Sequence, residues 1–251
     1  HVMGWSTSVI SHVIGASPDG ELFGIGYDNG GFYTSNDGFA NVALRASSNG
    51  GASATNRLSQ FSSISVNGSV IVAAGGTDDI YYSGDAGKTF LTTPIRVYEN
   101  GVRTGAIVRT VALNGTQLVA ATNMGLYTTS VANPALANAA RAWTKITTAN
   151  GLQSNDLNCG NAIPPVVVAC TTGGFALSTN NGASFQVKTT ANGLSSNSMR
   201  RFVIDGTDWY LGTDEGLTRS SNGGQSFNVS QIGFYFGGYR DAVYVQKLSN
   251  G

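Results

Sequence analysis

Five acidic residues fall in turn-like stretches between apolar runs: Asp28, Asp78, Asp79, Asp214 and Glu215. Carboxyl pairs are the working parts of glycoside hydrolysis, at ~5–5.5 Å for retention and ~6.5–9.5 Å for inversion. Asp is also a common turn former whose side chain bonds its own loop backbone. That plainer reading accounts for the same five residues without any chemistry. The adjacent pair Asp78-Asp79, helped by backbone carbonyls, is the arrangement here that suits Ca2+. No other cofactor is expected, and no residue is assigned as a metal ligand or a catalytic group. A second set comprises Arg57, Tyr98, Glu99, Arg103, Asp156, Tyr235, Tyr239 and Arg240. It supplies aromatic faces suited to sugars and to protein hot spots, and guanidinium forks suited to carboxylates. His12 is the one histidine besides His1, so a Ser-His-Asp triad has little to stand on.

The elements that must position these residues recur along the chain. A tight turn follows an apolar strand at Pro18-Asp19-Gly20, Asn67-Gly68, Asn114-Gly115, Pro164-Pro165, Asp205-Gly206 and Asn250-Gly251, spaced by 41–50 residues. Asn-Gly and Asp-Gly are hairpin signals because a type I′ turn needs positive φ at both central residues. After each of the first five comes an apolar strand: Leu22–Gly26, Val70–Ala74, Leu118–Ala121, Val166–Ala169 and Trp209–Gly212. A third strand follows at Gly31–Tyr33, Ile80–Tyr82, Gly125–Tyr127, Gly174–Ala176 and Gly216–Thr218, and a fourth is expected to carry Phe90, Trp143, Phe185 or Phe227. Four short antiparallel strands per repeat of this length form the unit of a β-propeller blade. No segment holds a sustained helical period. The alanine-rich stretch 131–140 reads as a loop insertion with one helical turn.

Between third and fourth strands lies a motif. Ser83-Gly84-Asp85-Ala86-Gly87-Lys88-Thr89-Phe90 is matched by residues 178–185 and 220–227, with Asn180 and Asn222 in place of Asp85. Ser35-Asn36-Asp37-Gly38-Phe39 is a shortened copy, and the third repeat keeps Thr129 and Trp143. The pattern resembles the Asp-box, or BNR, repeat of sialidases and other propellers. Its structural positions here are Ser83, Asp85, Gly87, Asn180, Gly182, Asn222 and Gly224. The resemblance implies a propeller, with this turn away from the ligand site. Sialidases clamp a carboxylate with three arginines after an Arg-Ile-Pro entry motif; here Pro94-Ile95-Arg96 runs in reverse, which argues against that activity. A second resemblance rests on Asn192-Gly193-Leu194-Ser195-Ser196-Asn197, the strands that follow it, and Asn150-Gly151-Leu152-Gln153-Ser154-Asn155 before it. These look like the repeats of two-component-regulator propellers, which implies a periplasmic or extracellular setting and no particular ligand.

Composition sets the remaining limits. The 251 residues carry 14 basic and 14 acidic side chains and a net charge of zero, which argues against nucleic acid as partner. No apolar run approaches the ~18 residues of a membrane span. Cys159 and Cys170 flank Pro164-Pro165, so a hairpin sets them opposite one another; a disulfide is the favoured reading and two buried thiols the alternative. The expected architecture is all-β: a single propeller domain over residues 1–251. It holds five complete blades plus an inner strand at 241–245, closed at its termini, part of a larger ring, or completed by another chain. The expected function is an extracellular or periplasmic binding or adhesion module. Its ligand is a glycan or protein, held at one end of the channel by Asp28, Asp79, Tyr98, Asp214, Tyr235, Tyr239 and Arg240. The alternatives are a glycoside hydrolase using a carboxylate pair at that end, and a structural or sensor part of a larger assembly.

Overall fold

The computed structural model describes residues 63–74 and 77–230, together with the backbone of four earlier strands. Those four are β1 (Ser11–Ala16), β2 (Leu22–Gly26), β3 (Phe32–Ser35) and β4 (Ala43–Ala46), paired in that order as an antiparallel sheet. The second sheet holds β5 (Ser63–Asn67), β6 (Val70–Ala74), β7 (Asp79–Ser83) and β8 (Ile95–Arg96). A two-stranded hairpin follows, β9 (Tyr98–Glu99) with β10 (Val102–Arg103). Three more four-stranded sheets complete the series. They are β11 (Val108–Asn114) to β14 (Thr144–Ile146) with β12 (Gln117–Thr122) and β13 (Gly125–Ser130) between; β15 (Cys159–Ile163), β16 (Val166–Thr171), β17 (Gly174–Ser178) and β18 (Gln186–Lys188); and β19 (Met199–Asp205), β20 (Asp208–Thr213), β21 (Gly216–Ser220) and β22 (Asn228–Ser230). Four blades are thus seen with their side chains, fewer than the five plus one strand read from the sequence. The β1–β4 sheet is described as backbone, and the strand at 241–245 lies outside the described residues.

Contacts gather the chain into two compact units. Of the described residues, one holds those up to 116 with 131–141, and the other 117–130 with 142–230. In the first, Ile71 and Ala73 pack with Ile64, Val66 and Phe90. In the second, Cys159, Val168, Cys170, Phe175, Leu177, Leu194, Met199, Trp209, Leu211 and Phe227 form one buried cluster. The second strands with described side chains are buried along most of their length, as in Val167–Thr171. This is why they read as unbroken apolar runs rather than alternating ones. Cys159 and Cys170 are register partners across β15 and β16 and form a disulfide with Cα atoms 4.9 Å apart.

The fourth strands differ from expectation. Trp143, Phe185 and Phe227 each stand one residue ahead of β14, β18 and β22, and Phe90 precedes β8 by five residues. The aromatic therefore closes the turn instead of riding in the strand. Phe227 is buried against Phe175 at 5.9 Å between ring centroids.

The recurring turn is held by its own side chains. Ser83 Oγ donates to Asp85 Oδ1 (2.8 Å) and accepts from the Gly87 N–H (2.9 Å). Asp85 accepts from the Thr89 N–H (2.9 Å) and hydroxyl (2.7 Å). Ser178 and Asn180, and Ser220 and Asn222, repeat this, except that the Asn Nδ2 donates to Ser184 or Ser226 (2.9 and 2.8 Å). The hydroxyl partner simply reverses its role, which is why Asp and Asn exchange. Two successive residues take positive φ: Ala86 and Gly87, Asn181 and Gly182, Gly223 and Gly224. The first of each pair donates its N–H to the inner hairpin of its own blade, at Ser69, Pro165 or Thr207 (2.8–2.9 Å). The turn thereby ties the third-to-fourth connection to the first-to-second one.

Asp85 supplies a prediction. The Thr89 N–H and then the Thr89 hydroxyl hold its carboxyl down at about 2. Its folded value lies below its unfolded one. Its stabilising contribution is therefore complete above pH ~4 and is lost as pH falls toward 2. Asp85→Asn is expected to keep the turn and remove that acid dependence; Asp85→Ala is expected to cost about 1 kcal/mol at pH 7. Urea unfolding at pH 7 and pH 2.5 reads both.

Side chains also join neighbouring inner strands. Ser63 Oγ donates to the Val111 carbonyl (3.3 Å) and accepts from the Val111 N–H (3.0 Å), and Ser65 accepts from the Leu113 N–H (2.9 Å). Asn158 Nδ2 donates to the Met199 carbonyl (2.8 Å) in the same manner.

Candidate ligand-binding site

Loops joining second to third strands, and one blade to the next, share an end of each blade. In the first unit this end is an arginine–aspartate corner. Asp79 opens β7 and is the register partner of Arg96 in β8. The Arg96 Nε bonds Asp79 Oδ1 at 2.5 Å. Asp78, one residue earlier, is 8% exposed and receives both the Nε and Nη2 of Arg103 at 2.5 and 2.6 Å. Arg103 comes from β10, whose hairpin turns at Asn100 and Gly101, both at positive φ. The Thr104 N–H, bonded to the Val97 carbonyl at 3.1 Å, closes the hairpin's base. The Arg103 hydrogen bond holds the Asp78 carboxyl below the usual range despite its burial. Tyr81, beside Asp79, has its hydroxyl pushed up to about 12, first by burial and then by that carboxylate.

In the second unit Asp214 lies between β20 and β21 and bonds the Arg200 Nε at 2.6 Å. Burial opposes its ionisation, but hydrogen bonds from Ser198 and Arg200 outweigh burial and hold it low. The turn is shaped by Thr213, whose hydroxyl donates to the Gly216 carbonyl (2.9 Å) and accepts from the Glu215 N–H (3.1 Å). Thr122 and Thr171 build the same turn ahead of Gly125 and Gly174.

Tyr98 lines a cleft of about 530 Å3 on the flank of the second blade, bounded by residues 91–96 on one side and 134–139 on the other. The alanine-rich insertion that forms the second wall has the expected single helical turn, a 3-10 turn over Asn138–Ala140. Arg96 links the corner to the cleft, since it bonds Asp79 and also lines the wall beside Tyr98. Of the expected ligand residues, Asp79 and Tyr98 are thus brought together through Arg96. Asp214 belongs to the second unit, and Asp28, Tyr235, Tyr239 and Arg240 lie outside the described residues. The carboxylates considered for Ca2+ at Asp78 and Asp79 each engage a guanidinium, a donor set that leaves the pair neutralised by protein. Arg96, Arg103 and Arg200 were not foreseen as the partners of these acids. Each is distant in sequence from its Asp: strand register aligns Arg96 with Asp79, whereas Arg103 reaches Asp78 from the β9–β10 hairpin and Arg200 reaches Asp214 from the irregular step in the β19–β20 pairing.

The Asp78–Arg103 pair can be tested. Arg103→Ala leaves a nearly buried carboxylate without its cation and is expected to cost about 2 kcal/mol at pH 7. The pair is half open to solvent at Arg103, so the loss is smaller than for a fully buried pair. Asp78 is held below its unfolded value, so its contribution exists above pH ~4 and fades as pH drops. The gap between wild type and variant is expected to narrow at pH 3, read by chemical denaturation.

No protein-family model and no curated protein matches the chain. Solved structures do. The extracellular domain of the hybrid two component system BT4673 from B. thetaiotaomicron superposes with a TM-score of 0.63 at 14% identity, over 89% of this chain. The chain spans 28% of that domain's length. The WD40 repeats of RRP9 give 0.62 at 14% identity, covering 90% of this chain and 64% of theirs. The β-propeller domain of Cps50 (Swd1) from Myceliophteria thermophila gives 0.60 at 14%, covering 85% and 66%. At this identity the likeness shows the fold: a β-propeller of four-stranded antiparallel blades.

Proposed function

We propose that this chain is a non-catalytic binding module, extracellular or periplasmic, that acts as the ligand-recognising or sensor part of a longer protein. Residues 1–251 are read as one propeller domain of five blades plus an inner strand, whose ring is closed by its own termini or by further chain. The recurring turns are read as Asp-box repeats. Its ligand is a glycan or a protein, met by Asp79, Tyr98 and Asp214, and by Asp28, Tyr235, Tyr239 and Arg240. The observation that carries the reading is the state of the carboxylates: Asp78, Asp79 and Asp214 are each ion-paired with an arginine. A hydrolytic pair needs one acid kept protonated and one base open to substrate; Asp78 and Asp214 are instead held low, as ionised partners of guanidinium groups. The disulfide and the extracellular domain among the similar structures support the location.

The test is a screen of the purified chain against immobilised glycans and chromogenic glycosides. Binding without turnover is the expected outcome, with Tyr98→Ala weakening it about tenfold at unchanged melting temperature. Turnover that disappears in Asp79→Asn or Asp214→Asn, with the fold intact, overturns the proposal in favour of a hydrolase.

A further inference from the structure

The cleft beside Tyr98 is walled by an insertion that the other blades with described side chains lack. Residues 131–141 leave β13 and fold back over the outer edge of β8. One side chain fastens them there. Asn138 Oδ1 accepts the Arg96 N–H at 2.9 Å, and Asn138 Nδ2 donates to the Pro94 carbonyl at 3.0 Å. Alternate residues of a strand direct their backbone groups to one side, so this amide stands where a neighbouring strand's peptide would. The strap is stiffened from within. Arg141 is 4% exposed, and its Nη2 donates to the carbonyls of Asn133, Pro134 and Leu136 at 3.1–3.3 Å. The result is a cleft whose two walls are fixed before any ligand arrives.

The chemistry of the walls narrows the ligand. Arg96 is the charged side chain among the lining residues, and Asp79 already engages its guanidinium. Among the described residues, no carboxylate lines the cleft. The walls thus offer neither a free anion site nor a cation site. Pairing by an extended peptide is blocked, because Asn138 occupies the edge groups of Pro94 and Arg96. The lining includes the aromatic Tyr98, the apolar Leu91, Pro94 and Leu136, and the hydroxyl-bearing Thr92 and Thr93. An aromatic face with hydroxyl partners and no net charge suits the alternating apolar and hydroxylated surface of an uncharged sugar. At about 530 Å3 the space lies in the range of small-molecule sites. We infer that this flank cleft is the seat of a short neutral oligosaccharide, stacked on Tyr98 under the strap. The inference rests on the reading of the chain as a binding module and gives that module a ligand class and a place.

The experiment is titration calorimetry of the full chain with cellotriose, mannotriose and chitotriose, and with trigalacturonate as the charged counterpart. Binding of at least one neutral trisaccharide and none of trigalacturonate is expected. Tyr98→Ala should lower the affinity tenfold or more, and Asn138→Ala, which frees the strap, several-fold. Ile163→Ala, on the β15–β16 hairpin of the second unit and absent from the cleft's lining, should leave it unchanged. Melting curves establish that each variant is folded. The inference is overturned if no neutral trisaccharide binds, if trigalacturonate binds as well, or if Tyr98→Ala binds like wild type. Sugar binding that survives Tyr98→Ala but is lost in Asp214→Asn also overturns it, while the module reading stands. Hydrolysis of these sugars that is lost in Asp79→Asn brings down the module reading itself.

Discussion

Phe175→Ala is expected to lower the unfolding free energy by about 4 kcal/mol, read as a shift of the denaturant midpoint with an unchanged slope in the part of the transition that reports the second unit. Phe175 is fully buried, and its ring meets three others edge-on: Phe202 and Trp209 at 6.0 Å and Phe227 at 5.9 Å. These rings come from β19, β20 and the turn before β22, so one side chain of β17 fastens most of the adjoining blade. Truncation removes the transfer free energy of a benzyl group and leaves a void. The void cannot close without moving the backbone of two sheets. Edge-to-face pairs add about 0.5–1.5 kcal/mol each beyond burial. Val229→Ala, at a position 52% exposed, is the contrast and is expected to stay within about 0.5 kcal/mol.

Gly193→Ala is expected to cost about 3 kcal/mol, against about 1 kcal/mol for Gly68→Ala. Both glycines sit at positive φ, +92° and +59°, where an L residue pays a penalty of ~1–2 kcal/mol. They differ in what surrounds them. A methyl group on Gly68 meets nothing within 4 Å, whereas one on Gly193 runs into the backbone carbonyl of Phe227, which cannot rotate away. Gly151, the equivalent residue one repeat earlier, has φ +98° and its nearest neighbour at 3.6 Å. Gly151→Ala should therefore fall between the two. Equal costs at all three positions, measured by urea unfolding, would show that conformation alone matters and that the overlap at Gly193 is relieved for free.

The blade plan was legible because it is written locally. Asn67-Gly68 and Asn114-Gly115 make tight turns by themselves, and Val70–Ala74 or Val166–Thr171 are apolar on both faces wherever they are placed. The Ser-x-Asp turn was equally readable, since every side-chain bond within it spans at most four residues. The Cys159–Cys170 pairing followed from a hairpin and nothing more. The site was less visible. Asp79 is bonded to a residue 17 positions on and Asp78 to one 25 positions on, and no local pattern distinguishes an acid that caps its loop from one that waits for an arginine. Asn138 was hidden altogether. An alanine-rich loop gives no sign that one amide in it completes the edge of a strand 42 residues away. Trp143, Phe185 and Phe227 stand a single residue ahead of the expected strands, and Phe90 five, for a related reason: whether a ring rides in the strand or closes the turn depends on the sheet it leans on.

The serine bridges between β5 and β11, and the asparagine reaching from beside β15 to Met199, join neighbouring blades through side chains rather than strand pairing, alongside a backbone bond from the Val108 N–H to the Thr77 carbonyl. A seam made of backbone can be altered only by changing the fold. One made of hydroxyls and amides is rewritten residue by residue, through single codons, while every strand keeps its register. Within one architecture, a lineage can therefore loosen some joints and tighten others.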